Sequence, residues 1–326
     1  MGIRAARQHI GSAPYASALD SARSLLHQPL GEAVQTIVLS QLAEARRACA
    51  HLASEADTEA LHAVRVAIRR LRSTLRAWRK PLRGVVTRRH RRRLRELQRA
   101  TGCTRDADVA LAWLGRQNDL GAKRGEGVAW LENELRQRAV VQRHRAREAL
   151  PATFHAIQED LEARVAASTS ASRTVDVPST TYGEALTRRL RKQGRAWMDA
   201  LSRLAASRDV GEAHATRILG KRLRYLVEPT VDLVPDLKAL LPHLQAWQDL
   251  LGRLNDTRVL RAEVSREARR ARKAGRSTHA GLKEIRRRLR RRKRAVFKRI
   301  GKRASPKRLR LVKRAWKAAV QALASA

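Results

Sequence analysis

Cysteine is all but missing from this chain of 326 residues: only Cys49 and Cys103 are present. Two thiols so far apart make neither a disulfide framework nor a zinc-ligand spacing. They fit a reducing compartment, with both packed as small hydrophobes. Aromatic residues are 3% of the sequence, which leaves few platforms on which single-stranded bases could stack. No apolar run approaches the roughly 18 residues of a membrane span, and the first 30 residues, with Arg4, Arg7 and Arg23, hold no signal-peptide core. A cytoplasmic protein without a transmembrane segment is expected. Acidic residues are scarce as well, 30 against 71 Lys and Arg, for a formal net charge of +41. Such an excess repels itself and is ordinarily offset by a bound polyanion. Nucleic acid, anionic lipid and polyphosphate are the candidates. The lipid reading lacks the aromatic interfacial face that membrane-surface helices carry.

What the chain does have is helix-forming material. Hydrophobic residues are 43% of it, an ordinary share for a globular core. Leu, Ala and Arg dominate and alternating β-branched residues are almost absent, so an all-α fold is expected. The chain also repeats itself. At an offset of 152, Gly31-Glu32-Ala33 recurs as Gly183-Glu184-Ala185, Gln41 as Gln193, His62 as His214 and Arg65 as Arg217. Arg70-Leu71-Arg72 recurs as Arg222-Leu223-Arg224 at the same offset. At an offset of 150, Gln98, Gly102, Asp106 and Val109 fall on Gln248, Gly252, Asp256 and Val259. Chance aligns Leu and Ala in helical sequences, but not Gly, His, Gln and Asp together. The chain therefore divides into a flexible N-terminal segment (1–29), a first helical repeat (30–166), a Ser/Thr-rich linker around Pro178 (167–181) and a second helical repeat (182–320).

Periodicity predicts helices over 31–53, 58–80, 88–100, 106–114 and 128–165 in the first repeat. In the second it predicts 182–205, 211–228, 241–251, 256–274 and a helix from 279 onward. Pro81 and Pro229 close two of them, and Pro242 is placed in the first turn of another. Gly102 and Gly252 read as residues just past a helix end, with Asp106 and Asp256 opening the next helix.

The segment from His62 to Trp78 sorts into two faces at about 100° per residue. Leu61, Val64, Ile68, Leu71, Leu75 and Trp78 make an apolar face. His62, Arg65, Arg69, Arg72 and Arg76 share a neighbouring arc of about 80°, while Arg70 points elsewhere. In the second copy His214, Arg217, Lys221 and Arg224 take that arc, with Tyr225 at its edge and Arg222 outside it. No acid interrupts the first stripe. Like charges at this spacing repel by a few tenths of a kcal/mol per pair, so the stripe is read as a binding surface rather than a solvated face. Guanidinium groups about 5–6 Å apart suit consecutive phosphates. Arg donates bidentately, Lys supplies a point charge, and the two His donate when neutral or add charge when protonated.

These two His-x-x-Arg-x-x-x-(Arg/Lys)-Arg-x-Arg segments, each followed by a block reading GCTRDADV or LGRLNDTRV, resemble the CHAD domain, the conserved histidine α-helical domain. The likeness covers about residues 30–320. It implies two helical bundles with pseudo-two-fold symmetry around a basic groove or pore that binds inorganic polyphosphate, and association with polyphosphate granules. Carried over by residue, it places binding at His62, Arg65, Arg69, Arg70 and Arg72, and at His214, Arg217, Lys221, Arg222 and Arg224. Arg76 joins the first set through the shared arc. Gly220, inside the second motif, departs from the pattern. It weakens a helix by roughly 1 kcal/mol and predicts a less ordered second half.

A secondary basic cluster, Arg88, Arg89, Arg91, Arg92 and Arg95, has a mostly apolar counterpart over 238–245, so an unequal surface is expected. From 281 to 314, 18 of 34 residues are Lys or Arg, and Glu284 is the only acid. Leu282, Ile285, Leu289, Val296 and Ile300 keep helical spacing there, which predicts a packed helix with a basic outer face rather than a disordered tail. Asp106, Asp108 and Asp256 are read as helix caps and partners of nearby Arg. Glu132 and Glu134 resemble the alternating acids of triphosphate-tunnel enzymes, but those stand on strands and no strand pattern exists here. No catalytic residue, metal site or cofactor is expected. The function expected is noncatalytic polyphosphate binding, with general nucleic-acid binding as the alternative and any such binding weaker. No helix-turn-helix or RNA-binding signature presents base-reading side chains.

Overall fold

The apolar arc of the first His/Arg helix is buried as its spacing requires, with Val64, Ile68 and Leu71 each 0% exposed. The computed structural model describes residues 25–54, 58–117, 122–172, 180–273, 275 and 279–326. Among them the elements are α1 (Leu30–Ser54), α2 (Thr58–Ala77), α3 (Arg88–Leu114), α4 (Ala122–Ser172), α5 (Tyr182–Ala206), α6 (Val210–Val227), α7 (Pro235–Lys273), α8 (His279–Arg303) and α9 (Pro306–Ser325). A 3-10 turn, Glu228–Thr230, follows α6 where Pro229 ends it. No strand occurs among the described residues, and none of their helices is long and apolar enough to cross a membrane.

Helices α1 and α5 are each 25 residues long and begin 152 residues apart, as do α2 and α6 at their starts. The two long helices start side by side. Pro29 bridges Thr181, the Leu30 amide donates to the Thr180 carbonyl at 3.1 Å, and the Tyr182 amide donates to the Gln28 carbonyl at 3.0 Å. Trp78 packs on Tyr182 with ring centroids 5.2 Å apart, and the Arg189 guanidinium covers the Trp78 ring at 4.6 Å. The large core draws on both halves of the chain, from Val34 and Leu71 to Trp197 and Leu244. A second core joins the C-terminal part of α3 to α4, α7 and α8 through Trp113, Leu131, Val264 and Ile285. The hydrophobic interior therefore divides by position along the helices rather than by repeat.

Several expected boundaries shift. Helix α3 runs unbroken through Gly102, and α7 runs unbroken through Gly252 and Pro242. Neither glycine ends a helix, and Asp106 and Asp256 cap nothing. A glycine inside a helix costs about 1 kcal/mol, which the packing of α3 and α7 on both sides of it offsets. Residues 1–24 of the expected flexible segment lie outside the described residues, but Leu26 is 5% exposed and part of the large core. The expected linker begins inside α4, which continues to Ser172, while 173–179 lie outside the described residues. The basic stretch from 281 is helical, with Leu282, Ile285, Leu289, Val296 and Ile300 all buried, and the last repeat extends through α9, where Leu323 is buried. Cys49 packs as a small hydrophobe, its thiol pushed up to about 12 by burial. The Cys103 side chain lies outside the described residues.

One glycine sets how closely α9 approaches α5. A Cβ on Gly194 would fall 2.0 Å from Trp316 Nε1, which donates to the Leu190 carbonyl at 3.1 Å. Gly194→Ala must push the indole out of that contact. The expected loss is about 3 kcal/mol, the upper part of the usual range for overpacking, read as a lowered urea midpoint with an unchanged m-value.

Candidate functional site

Helices α2 and α6 pack against each other, so their basic arcs meet at one seam. Arg69 of α2 stands over the ring of Tyr225 of α6 at 5.6 Å, and Arg224 stands over the same ring at 4.9 Å. Lys221, Arg217 and Arg69 are close enough to lower one another's proton affinity. Burial is the first cause of the shift in each. It lowers both guanidinium values, though Arg keeps its proton, and it pushes the Lys221 ammonium down to about 7. The Nε atoms of Arg69 and Arg217 are buried without a hydrogen-bond acceptor. Buried donors normally find partners, so a seam with idle guanidinium nitrogens is a place prepared for acceptor oxygens.

The two histidines sit near the starts of the two stripes. Desolvation lowers His62, as does Arg105, while Glu59 opposes them. Desolvation likewise lowers His214, followed by Arg258 and Arg217, with a hydrogen bond to Asn255 acting the other way. Each His thus faces the block that follows it in sequence, at Arg105 of α3 and Asn255 of α7. The same blocks brace the stripes. Gln98 accepts from Arg72, and Gln248 donates to the Gly220 carbonyl at 3.3 Å. Arg65 donates to the Thr101 carbonyl at 2.6 Å, and a Cβ on Gly102 would lie 3.6 Å from that guanidinium.

On the α2–α3 side the seam opens into a recess of about 620 Å³, lined by Arg72, Arg76, Arg95, Gln98, Arg99, Gly102 and Asp106. Burial and the charges of Arg76, Arg95 and Arg99 lower Arg72 to about 10. An uninterrupted α3 explains this lining, because Arg95, Arg99, Gly102 and Asp106 recur at spacings of four, three and four and share one face. Asp106 and Asp256 enter the cationic track. Asp106 is raised by desolvation and by Asp256, and lowered by Arg65, Arg105 and Arg217. Asp108 lies inside α3 and caps nothing, but it pairs with an Arg as expected, 3.7 Å from Arg143, and is raised by burial.

The expected site residues therefore fall into two groups. His62, Arg65, Arg69, Arg72, Arg76 and Arg95 form one connected surface with His214, Arg217 and Lys221, and Arg224 borders it, paired with Glu228 at 2.9 Å. Arg70 does not join it: it pairs with Glu44 of α1 and with Glu228 at 3.2 Å, tying α2 to its neighbours. Arg222, Arg88, Arg89 and Arg92 are exposed, and Arg91 is half-buried beside Arg79 and Arg88. Between them His90 is 2% exposed, completes a capping box with Thr87 and meets Asp160 at 2.6 Å. Sequence reasoning missed Arg99, Arg105 and Arg258, because splitting α3 and α7 at their glycines hid how each helix carries basic residues past its glycine toward the stripes. The expectation of a looser second half rested on Gly220 as a helix defect. Gly220 is instead buried, and a Cβ there would come 2.9 Å from Trp197 Nε1. The glycine admits the Trp197 ring and so belongs to the packing of α5 on α6. Among the described residues no three His, Cys, Asp or Glu side chains gather as a metal centre would. Glu132 and Glu134 stand on α4, where Glu132 pairs with Arg136 at 3.1 Å and Glu134 approaches Arg270 at 4.0 Å.

Two solved structures share this arrangement of helices. The crystal structure of the CHAD domain from the plant Ricinus communis aligns with a TM-score of 0.67 at 24% identity, covering 90% of this chain and 93% of that one. PptA from Streptomyces chartreusis aligns with a TM-score of 0.57 at 22% identity, covering 85% of this chain and 99% of that one. At these identities the likeness is one of fold. No curated protein matches the chain. The family model of the CHAD domain matches residues 36–265, which span both His/Arg helices and both blocks behind them. On that match, over most of its length, the chain belongs to the CHAD domain family.

Proposed function

We propose that the chain binds inorganic polyphosphate without acting on it chemically, and that it does so at polyphosphate granules in the cytoplasm. The observation that carries this reading is the seam where Arg69, Arg217 and Lys221 crowd together, with the Nε atoms of both guanidinium groups buried and without an acceptor. A flexible chain of phosphates can follow the track from Arg76 and Arg72 through Arg65 and Arg69 to Lys221 and Arg224, replacing counterions as it does so. Membership of the CHAD family supports the choice of ligand. The repeated helices, read as an internal duplication around a pseudo-two-fold axis, would offer the ligand two equivalent banks. The acids of the track, Asp106 and Asp256, lie among guanidinium groups, where they neutralise charge and limit how tightly any anion is held.

A duplex presents its phosphates on a stiff cylinder about 20 Å across, whereas the seam is partly buried and suits a single flexible strand. Competition at near-physiological salt tests this. Long-chain polyphosphate is expected to displace labelled duplex DNA at phosphate concentrations at least about tenfold lower than DNA needs to displace polyphosphate, a difference of about 1.4 kcal/mol. Equal competition would make the protein a general polyanion binder. Incubation with polyphosphate and magnesium is expected to release no phosphate.

A further inference from the structure

Between the C-terminal end of α5, the segment after it, α7 and α8 lies a second recess, of about 830 Å³. It shares no residue with the His/Arg track. Arg208, Arg261, Arg290, Lys293, Arg294 and Lys298 surround it, and among the described residues none of the six forms an ion pair. Asp209 lies within electrostatic reach of Lys293, but its carboxylate caps α6, accepting from the Glu212 amide at 2.9 Å. The floor differs in kind. Leu204, Ala205 and Phe297 line it, and Gly301 leaves it open, since a Cβ there would meet nothing within 4 Å.

Cations over an apolar floor select a ligand with two parts. An inorganic phosphate strand gains nothing from Ala205 or Phe297, and an apolar molecule gains nothing from six unpaired cations. A compact organic body carrying several phosphates uses both, and the recess falls in the usual size range of small-molecule pockets, about 300–1,000 Å³. We propose that this recess binds a nucleoside triphosphate, with base and ribose against Ala205 and the accessible edge of Phe297 and the phosphates among Arg290, Arg294 and Lys298. The site is independent of the polyphosphate track and does not depend on that reading.

The test uses the full chain and ATP carrying an N-methylanthraniloyl label, followed by fluorescence anisotropy at near-physiological salt. Saturable one-to-one binding is expected. Gly301→Leu fills the recess without changing charge and is expected to weaken binding at least about tenfold, with long-chain polyphosphate binding held within about twofold. Lys298→Glu, at an exposed position, is expected to weaken the nucleotide similarly and decides the matter if Gly301→Leu lowers the thermal midpoint. Inorganic tripolyphosphate is expected to displace the nucleotide at least about tenfold less well than unlabelled ATP. Equal displacement would show that the apolar floor contributes nothing and would overturn the proposal. So would binding unaffected by both variants, or binding lost in Arg72→Ala/Arg76→Ala, which would place the nucleotide in the His/Arg track. Capture by phosphatidylglycerol vesicles, abolished by Lys298→Glu and without nucleotide binding, would assign the recess to a membrane and equally overturn it.

Discussion

Polyphosphate affinity is expected to fall by about ten- to a hundredfold as pH rises from about 6 to 9, and Lys221→Met should flatten most of that change. The Lys221 ammonium is pushed down to about 7, first by burial and then by Arg217, Arg69, Arg105 and Arg224. Those four charges face it from α2, α3 and α6 together. A bound phosphate chain reverses the local field and returns Lys221 toward the ordinary lysine value near 10.4. Binding between those two values therefore takes up a proton, and affinity rises as pH falls. His62 and His214, both lowered in the free protein, add further uptake at the acidic end. Calorimetry at about pH 8, in two buffers of different ionisation enthalpy, measures the proton directly. Uptake of about one proton is expected, and none in Lys221→Met. Zero uptake in the unaltered protein would remove Lys221 from the site.

The same group affects folding with the opposite sense. The value for Lys221 is lower folded than unfolded, so the unfolded chain binds more protons between about pH 7 and 10. Stability from this group then rises with pH across that window. Lys221→Met is accordingly expected to raise the thermal midpoint of the free protein near pH 7, by roughly 2 °C or more, while weakening the ligand. A residue that costs stability and supports binding is what a functional position looks like energetically.

Much of this was legible before any coordinates, and the reasons differ by feature. The buried and basic faces of α2 follow from spacing alone, because a regular helix leaves no freedom in which side chains share a side. The core positions of α8 are legible in the same way, despite the density of Arg around them. Gly102 and Gly252 misled, since a glycine signals a helix end only when packing does not hold the helix through it. That error concealed the face carrying Arg95, Arg99, Gly102 and Asp106, and with it Arg105 beside His62. Arg70 was set outside the arc by its spacing and drawn into the binding set only by the family motif. Its motif position matches the binding pattern, but Glu44 and Glu228 converge on it from elements that no local pattern connects. Gly220 has the same origin: the partner that requires its missing side chain, Trp197, stands on a different helix.

The largest single effect is expected in thermal unfolding. Arg69 and Arg217 each hold a buried Nε with no acceptor, and Arg105 repels both, against the attraction of Tyr225 for Arg69 and of Asp256 for Arg217. The free seam therefore opposes folding, and a ligand that supplies acceptors and negative charge stabilises only the folded chain. At about 1,000 times its dissociation constant a ligand contributes about 4 kcal/mol, which for a protein of this size raises the midpoint by about 6 °C. Long-chain polyphosphate is expected to produce that shift at low salt, and less of it as salt rises from about 50 to 200 mM, because fewer counterions are gained by release. Arg69→Met/Arg217→Met removes the two idle donors while keeping most of the side-chain volume. Its ligand-free midpoint is expected at or above that of the unaltered protein, with the polyphosphate shift reduced to about 3 °C or less. A variant that melts well below the unaltered protein without ligand would mean that these guanidinium groups hold the seam together. A variant that keeps the full shift would mean that the phosphate chain lies elsewhere on the cationic surface.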